Sequence, residues 1–219
     1  MTQDEDLLAL LLSRAPLRLN GITYYAQNGK IRSRVSKYKK RTSCSEKMKV
    51  ASSRFTEARR MWKMYHRAIG DLPMWSIAAR EMHAVKSDTL FHSLNGGCFA
   101  AGVGVQEFPA FRFAVGSLDM PAVTAVRREG WRLTLEWHVD EDRPSAAWTD
   151  EVYIGYFHAT LPRTPHLLKL EGISRADARA TFDIPSLEQP DDTALHLYLF
   201  FGNLACTRFS PSAYVLAER

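Results

Sequence analysis

The residues of this chain best suited to chemistry are cations that recur at every second position near residue 30. Lys30, Arg32 and Arg34 occupy positions i, i+2 and i+4, so in a β-strand all three side chains project from one face. Tyr25 would lie opposite Arg32 in a hairpin, where its ring could stack on a base or a sugar. The run of cations continues without an acid through Lys37, Lys39, Lys40 and Arg41. This pattern predicts a surface that binds phosphates or an acidic partner.

Histidine, cysteine and glycine residues elsewhere lack the spacing that metal, nucleophile or nucleotide sites need. A metal site could be assembled from His66, His83, His92 and the nearby Glu81, but their spacings match no i, i+4 pair of metal ligands. Cys98 follows two glycines, but a small buried cysteine is the more common role for such a residue. Residues 102–104 (GVG) lack the third glycine of a phosphate-binding loop.

The acidic residues offer no better site. Residues 140–142, followed by Asp150 and Glu151, lack the spacing of an EF-hand calcium loop. We therefore predict no catalytic residue, no metal, no cofactor and no small-molecule substrate, and we expect that the protein is not an enzyme.

The charge of the chain is unevenly distributed. Residues 14–70 hold sixteen Lys and Arg against Glu46 and Glu57, whereas residues 71–219 hold thirteen against nineteen acids. An asymmetry of this kind indicates a polyanionic partner. The alternative is a solvated basic face that only keeps the protein soluble.

The cysteines and the first residues of the chain indicate the cellular compartment in which the protein is expected. Three cysteines without a CxxC pair argue against a disulfide framework and against a structural zinc site. The chain begins with an acidic segment before its first apolar run, whereas a secretory signal begins with basic residues. No apolar stretch approaches the ~18 residues of a membrane span. We therefore expect no signal peptide, no membrane span, and a protein of the cytoplasm or of an assembled particle.

A β-hairpin is predicted to position the cations. Residues 22–27 and 30–36 flank Asn28-Gly29, the strongest short signal for a two-residue turn. With that turn the pairs Gln27–Lys30, Tyr25–Arg32 and Thr23–Arg34 share a basic face. The pairs Ala26–Ile31, Tyr24–Ser33 and Ile22–Val35 share the other face, which could be buried.

One helix is predicted before the hairpin and three helices are predicted after it. Residues 4–14 fit a short amphipathic helix, and a capping box at residues 43–46 (SCSE) begins a long helix that ends at Gly70. Further helices are expected from Pro73 to about Val85 and from Asp88 to about Asn95. The apolar face of the long helix is expected to comprise Met48, Ala51, Phe55, Ala58, Trp62 and Tyr65, and Arg59, Lys63 and Arg67 mark another side.

From Pro121 onward the apolar period changes to two, which is typical of strands. Seven strands are predicted, over residues 123–126, 131–137, 152–158, 167–170, 176–184, 195–201 and 213–217. The pattern predicts a seven-stranded antiparallel β-sandwich of the fibronectin type III or immunoglobulin-like kind, without a disulfide. The predicted fold class is α+β, with a basic hairpin-and-helix module over residues 1–105, a linker over 106–120 and a β-sandwich domain over 121–219.

Several segments resemble a family of uncharacterised Bacteroidetes proteins. The matching residues are 20–25 (NGITYY), 28–34 (NGKIRSR), Arg54-Phe55, Trp62, 115–118 (VGSL), 135–137 (LEW) and 210–214 (SPSAY). The acidic loop at residues 140–142 departs from the family pattern. The resemblance implies a glycine-punctuated basic hairpin, then a helix, then a sandwich domain, and it implies no activity.

These observations favour a structural or interaction protein whose basic module docks onto an acidic partner and whose sandwich mediates protein contacts. The partner would be another protein or a second copy of the chain. The alternative is a nucleic-acid-binding protein whose hairpin makes backbone contacts with little sequence preference.

Overall fold

The computed structural model describes residues 15–27, 30–35, 45–139, 144–185 and 193–218. Within these ranges the fold is mixed α+β, with three helices and twelve strands that pair antiparallel. The chain divides into two compact units, residues 1–45 and 46–219. The predicted helix over residues 4–14, the turn Asn28-Gly29 and the capping serine Ser43 lie outside the described residues.

The first unit contains a three-stranded sheet. Its strands are β1 (Leu17–Leu19), β2 (Ile22–Gln27) and β3 (Lys30–Val35), with β2 in the middle. The register predicted for β2 and β3 is confirmed at all six pairs. Strand β1 was not predicted, and it joins β2 through Asn20-Gly21, where both residues have positive φ (49° and 77°). Such a pair forms a tight hairpin turn.

The second unit begins with the helices α1 (Glu46–Ile69), α2 (Met74–Glu81) and α3 (Ser87–Asn95). Helix α1 ends as predicted at Gly70, whose φ of +57° suits the residue after a helix. Two predicted bounds are wrong. Helix α2 ends four residues before Val85, and Asp88 lies inside the first turn of α3, which is preceded by Lys86.

The predicted apolar stripe of α1 is correct only in its second half. Its buried residues are Glu57, Ala58, Met61, Tyr65 and Ile69, whereas Met48, Ala51 and Phe55 are exposed. Periodicity identifies residues that share a helix face, but it does not tell whether another element covers that face. The first three turns of α1 contribute no buried residue.

An aromatic core holds the helices together. The Tyr65 hydroxyl donates a hydrogen bond to the carbonyl of Phe113 and accepts one from Trp75 Nε1 at 2.8 Å. Burial raises the pKa of Tyr65 far above its ordinary value, so the phenol stays protonated. Phe111 and Phe113 belong to this core, so the segment predicted as a linker over residues 106–120 supplies part of it.

All seven strands predicted for the C-terminal part are present. They follow the short pair β4 (Phe99–Ala100) and β5 (Gly104–Val105) and are β6 (Val123–Glu129), β7 (Arg132–Trp137), β8 (Glu151–His158), β9 (His166–Ser174), β10 (Arg179–Asp183), β11 (Leu195–Gly202) and β12 (Ala213–Ala217). One sheet has the order β10-β7-β6 and the other β12-β11-β8-β9. Strand β10 begins three residues late because residues 175–177 form a single 3₁₀ turn.

The four-stranded sheet is buried on both faces. Leu197 and Ile154 share an apolar core with Leu133 of the three-stranded sheet, while Tyr198 packs in the aromatic core of the helices. At Gly155 a Cβ atom would lie 2.4 Å from a ring carbon of Phe113, so glycine provides the space for that ring. The unit is therefore layered, with helices on one side of a central sheet and a second sheet on the other.

None of the helices in the described ranges combines the length and the apolar character that crossing a membrane requires.

Candidate interaction surface

The β1–β3 sheet has a basic face. Residues paired across antiparallel strands project on the same side of a sheet. Arg18 pairs with Thr23, Thr23 with Arg34, Tyr25 with Arg32 and Gln27 with Lys30. We call this side the cationic face and define it by Arg18, Tyr25, Lys30, Arg32 and Arg34.

The geometry of the cationic face suits an extended anionic partner. Lys30, Arg32 and Arg34 are exposed and lie about 6.6 Å apart along β3. No ion pair joins them to another described residue. The Arg34 guanidinium carbon lies 5.8 Å from the centre of the Tyr25 ring, a cation–π contact that holds this arginine beside the phenol.

The opposite side of the sheet is apolar and largely exposed. Leu17 and Leu19 of β1 are 52% and 56% exposed, and Ile31 and Val35 of β3 are 37% and 64% exposed. The sequence allowed burial of this side, but these four side chains remain accessible. A clustered apolar surface of this kind is typical of an interaction site.

The structure brings together half of the predicted site residues. Tyr25, Lys30, Arg32 and Arg34 lie on the cationic face, whereas Lys37, Lys39, Lys40 and Arg41 lie outside the described residues. Sequence reasoning missed Arg18, because a three-residue strand is too short to show a period. The Asn20-Gly21 pair was the signal that could have revealed it.

The other candidate chemistries find no geometric support among the described residues. Burial raises the pKa of Cys98, which disfavours the thiolate that a nucleophile needs. Asp150 is buried in an ion pair with Arg175, whose Nε lies 3.1 Å from its carboxylate. No group of three or more metal-ligating side chains converges within the described ranges.

The glycine-rich segment 102–104 has a packing role. Gly104 has a φ of +109°, and a Cβ atom there would lie 2.7 Å from the Pro162 carbonyl oxygen. The close approach allows Val105 N to donate a hydrogen bond to that oxygen at 3.0 Å. The glycine therefore leaves room for a backbone hydrogen bond between Val105 and the loop that carries Arg163.

Comparison of the chain with protein-family models finds no match, and comparison with curated proteins finds none either. The resemblance to the Bacteroidetes proteins therefore stays a prediction.

Proposed function

We propose that this chain is a non-enzymatic interaction protein whose cationic face docks onto an acidic partner. The observation that carries the proposal is the register of β1–β3, which sorts four cations onto one side of the sheet. An arginine guanidinium offers a fork of donors that pairs with carboxylates in two parallel hydrogen bonds. Arg32 and Arg34 present such forks without an ion-pair partner among the described residues.

The exposed apolar side of the same sheet favours a protein partner. Protein interfaces combine an apolar core with a polar or charged rim. Leu17, Leu19 and Val35 would supply the apolar contacts, and the arginines would make the interface selective for an acidic surface. The partner is another protein or a second copy of this chain, in the cytoplasm or in an assembled particle.

The seven strands β6–β12 are proposed to form a fibronectin type III-like sandwich that mediates protein contacts. The strand order supports this proposal, because the first, second and fifth strands share one sheet and the other four share the second. Two antiparallel sheets with a common core are the architecture of that class.

Binding to polyglutamate tests the docking proposal. Arg32→Glu plus Arg34→Glu should weaken binding by about tenfold, because two attractive contacts become repulsive. Arg127→Glu plus Arg208→Glu makes the same charge change at exposed positions of the second unit and should leave affinity within about twofold of the wild type. Equal losses in both double variants would contradict a localised docking face.

Light scattering of the same variants tests self-assembly. If the partner is a second copy of the chain, the variant Arg32→Glu plus Arg34→Glu should form smaller particles than the wild type. A size that does not change would exclude a second copy as the partner of this face.

A second candidate function is nucleic-acid binding by the cationic face, and Tyr25 is the observation that favours it. Tyr25 is paired with Arg32 across the strands, and its ring lies beside Arg34, so a base that stacks on the ring would have two cations nearby. In this case Tyr25→Ala should weaken binding of a single-stranded oligonucleotide while leaving polyglutamate binding unchanged. Equal effects on both ligands would count against base stacking on this face.

A further inference from the structure

A second cationic surface lies on α1, in the second unit. Helix α1 carries seven Lys and Arg against two Glu. Arg60, Lys63 and Arg67 lie at i, i+3 and i+7 and therefore share one helix face. With Arg163 they line a groove of about 350 Å³. We call it the α1 groove.

A buried carboxylate pairs with two of these arginines. Glu57 is only 3% exposed, and it accepts a hydrogen bond from Arg163 Nε at 2.6 Å. Its other oxygen lies 3.6 Å from a terminal nitrogen of Arg60. A buried charge needs partners, so Glu57 holds the Arg163 guanidinium in place and forms a longer ion pair with the exposed Arg60. Lys63 and Arg67 form no ion pair with a described residue.

An exposed aromatic ring lines a second groove that shares Arg60 and Lys63 with the α1 groove. Arg60 and Lys63 also line an adjoining groove of about 230 Å³ together with Phe55 and Arg59. The Phe55 side chain is 54% exposed, and the Arg59 guanidinium carbon lies 5.9 Å from its ring centre. On its other side Phe55 borders a larger hollow of about 660 Å³ lined also by Lys47 and Arg54.

This combination matches the requirements of one class of ligand. Proteins that bind single-stranded nucleic acid without sequence preference combine a cationic groove for the backbone with aromatic rings on which bases stack. From Arg60 to Arg67 the helix axis advances about 10 Å, which spans two or three successive phosphates of one strand. Exposed phenyl rings also occur in protein interfaces, but a ring beside cations spaced at the repeat of successive phosphates favours a strand of nucleic acid.

We propose that the α1 groove, together with the adjoining groove that Phe55 lines, binds a segment of single-stranded nucleic acid. The cations hold the phosphodiester backbone, and the Phe55 ring stacks on a base. The site is separate from the cationic face of β1–β3 and does not depend on the function proposed for it.

Fluorescence anisotropy with labelled single-stranded DNA and RNA of about twelve nucleotides tests the proposal. Lys63→Gln plus Arg67→Gln should weaken binding about tenfold and should reduce the salt slope by about 1.4, because each phosphate that a cation neutralises on a single strand accounts for about 0.7. Phe55→Ala should weaken binding about fivefold or more because the base no longer stacks, with an unchanged salt slope. All three side chains are exposed, so the variants should fold normally.

Matched controls separate this site from general charge effects. Arg127→Gln plus Arg208→Gln removes the same charge elsewhere on the second unit and should leave the salt slope unchanged. The effect of Phe55→Ala should persist in a protein that also carries Arg32→Gln plus Arg34→Gln, because the cationic face of β1–β3 is not part of the site.

Three results would overturn the proposal. One is no binding of either oligonucleotide at low salt, and another is an equal loss of affinity in the control pair. In the third result, Lys63→Gln plus Arg67→Gln weakens oligonucleotide binding but Phe55→Ala does not. Polyglutamate would then also displace the labelled oligonucleotide as well as an unlabelled oligonucleotide does. That result would assign the groove to an acidic protein.

Discussion

His158 is fully buried at the end of β8, and neither of its ring nitrogens has a hydrogen-bond partner among the described residues. Its ring centre lies 5.8 Å from that of His166 and 6.1 Å from that of Trp131. Burial lowers the pKa of both histidines, and the charge of Arg128, together with the charge that His166 carries when protonated, lowers the pKa of His158 further. The folded protein therefore keeps both imidazoles neutral.

This pair should make the protein sensitive to acid. Because the pKa values in the folded state are lower than in the unfolded state, the unfolded chain binds more protons below about pH 6.5. We expect the free energy of unfolding to fall as the pH decreases from about 7 to 5, and His158→Phe should reduce this fall. Urea unfolding over that pH range measures the effect.

An exposed histidine provides the control. His138→Gln replaces a histidine that is accessible to solvent and is compared with the wild type over the same pH range. The same dependence in His158→Phe as in the wild type would contradict the assignment.

At the scale of elements, α1 is a helix with two different halves. Its second half packs on the aromatic core, and its first half carries exposed apolar side chains. The effect of a substitution in α1 on the free energy of unfolding should therefore depend on which half of the helix contains it. Met61→Ala should destabilise the protein by about 2–5 kcal/mol, because it removes buried atoms and leaves a cavity.

The matched change is Phe55→Ala, which removes a larger side chain from the exposed half. It should alter the free energy of unfolding by no more than about 0.5 kcal/mol, as is usual for surface substitutions. Guanidinium unfolding measures both variants. Similar losses in the two would mean that the exposed half of α1 is packed in solution.

The elements could be predicted where the local signal was complete. Asn28-Gly29 and the period of two together fixed the pairing of β2 with β3, and alternating apolar residues located β6 to β12. The same signals could not show which elements cover one another.

Residues 106–120 lack a period because Phe111 and Phe113 enter the aromatic core from irregular backbone. The α1 groove was also hidden, since Arg163 is nearly a hundred residues from Arg67 in sequence.

At the scale of the whole molecule, the central sheet belongs to two cores at once. Tyr153, Phe157, Tyr198 and Phe200 face the helices, while residues between them along the same strands face the second sheet. A fragment of residues 121–219 would leave those four aromatic side chains without their helical layer. We expect it to unfold without a cooperative transition and to bind a dye specific for apolar surfaces.

The comparison is a fragment of residues 46–219, which keeps the whole compact unit. It should show one unfolding transition by circular dichroism, without binding the dye. Cooperative unfolding of the shorter fragment would show instead that the boundary predicted at residue 120 separates two independent domains.

The cations of β3 also act between identical molecules, because β3 is an edge strand of the sheet that the described residues form. An unpaired edge is a template for a further strand, and Lys or Arg at such an edge is a common protection against aggregation. When the edges of two copies approach, Lys30, Arg32 and Arg34 repel their counterparts. Salt weakens this repulsion beyond the Debye length of about 10 Å at 0.1 M. The side chains that would attract an acidic partner therefore also govern how soluble the protein stays in concentrated salt.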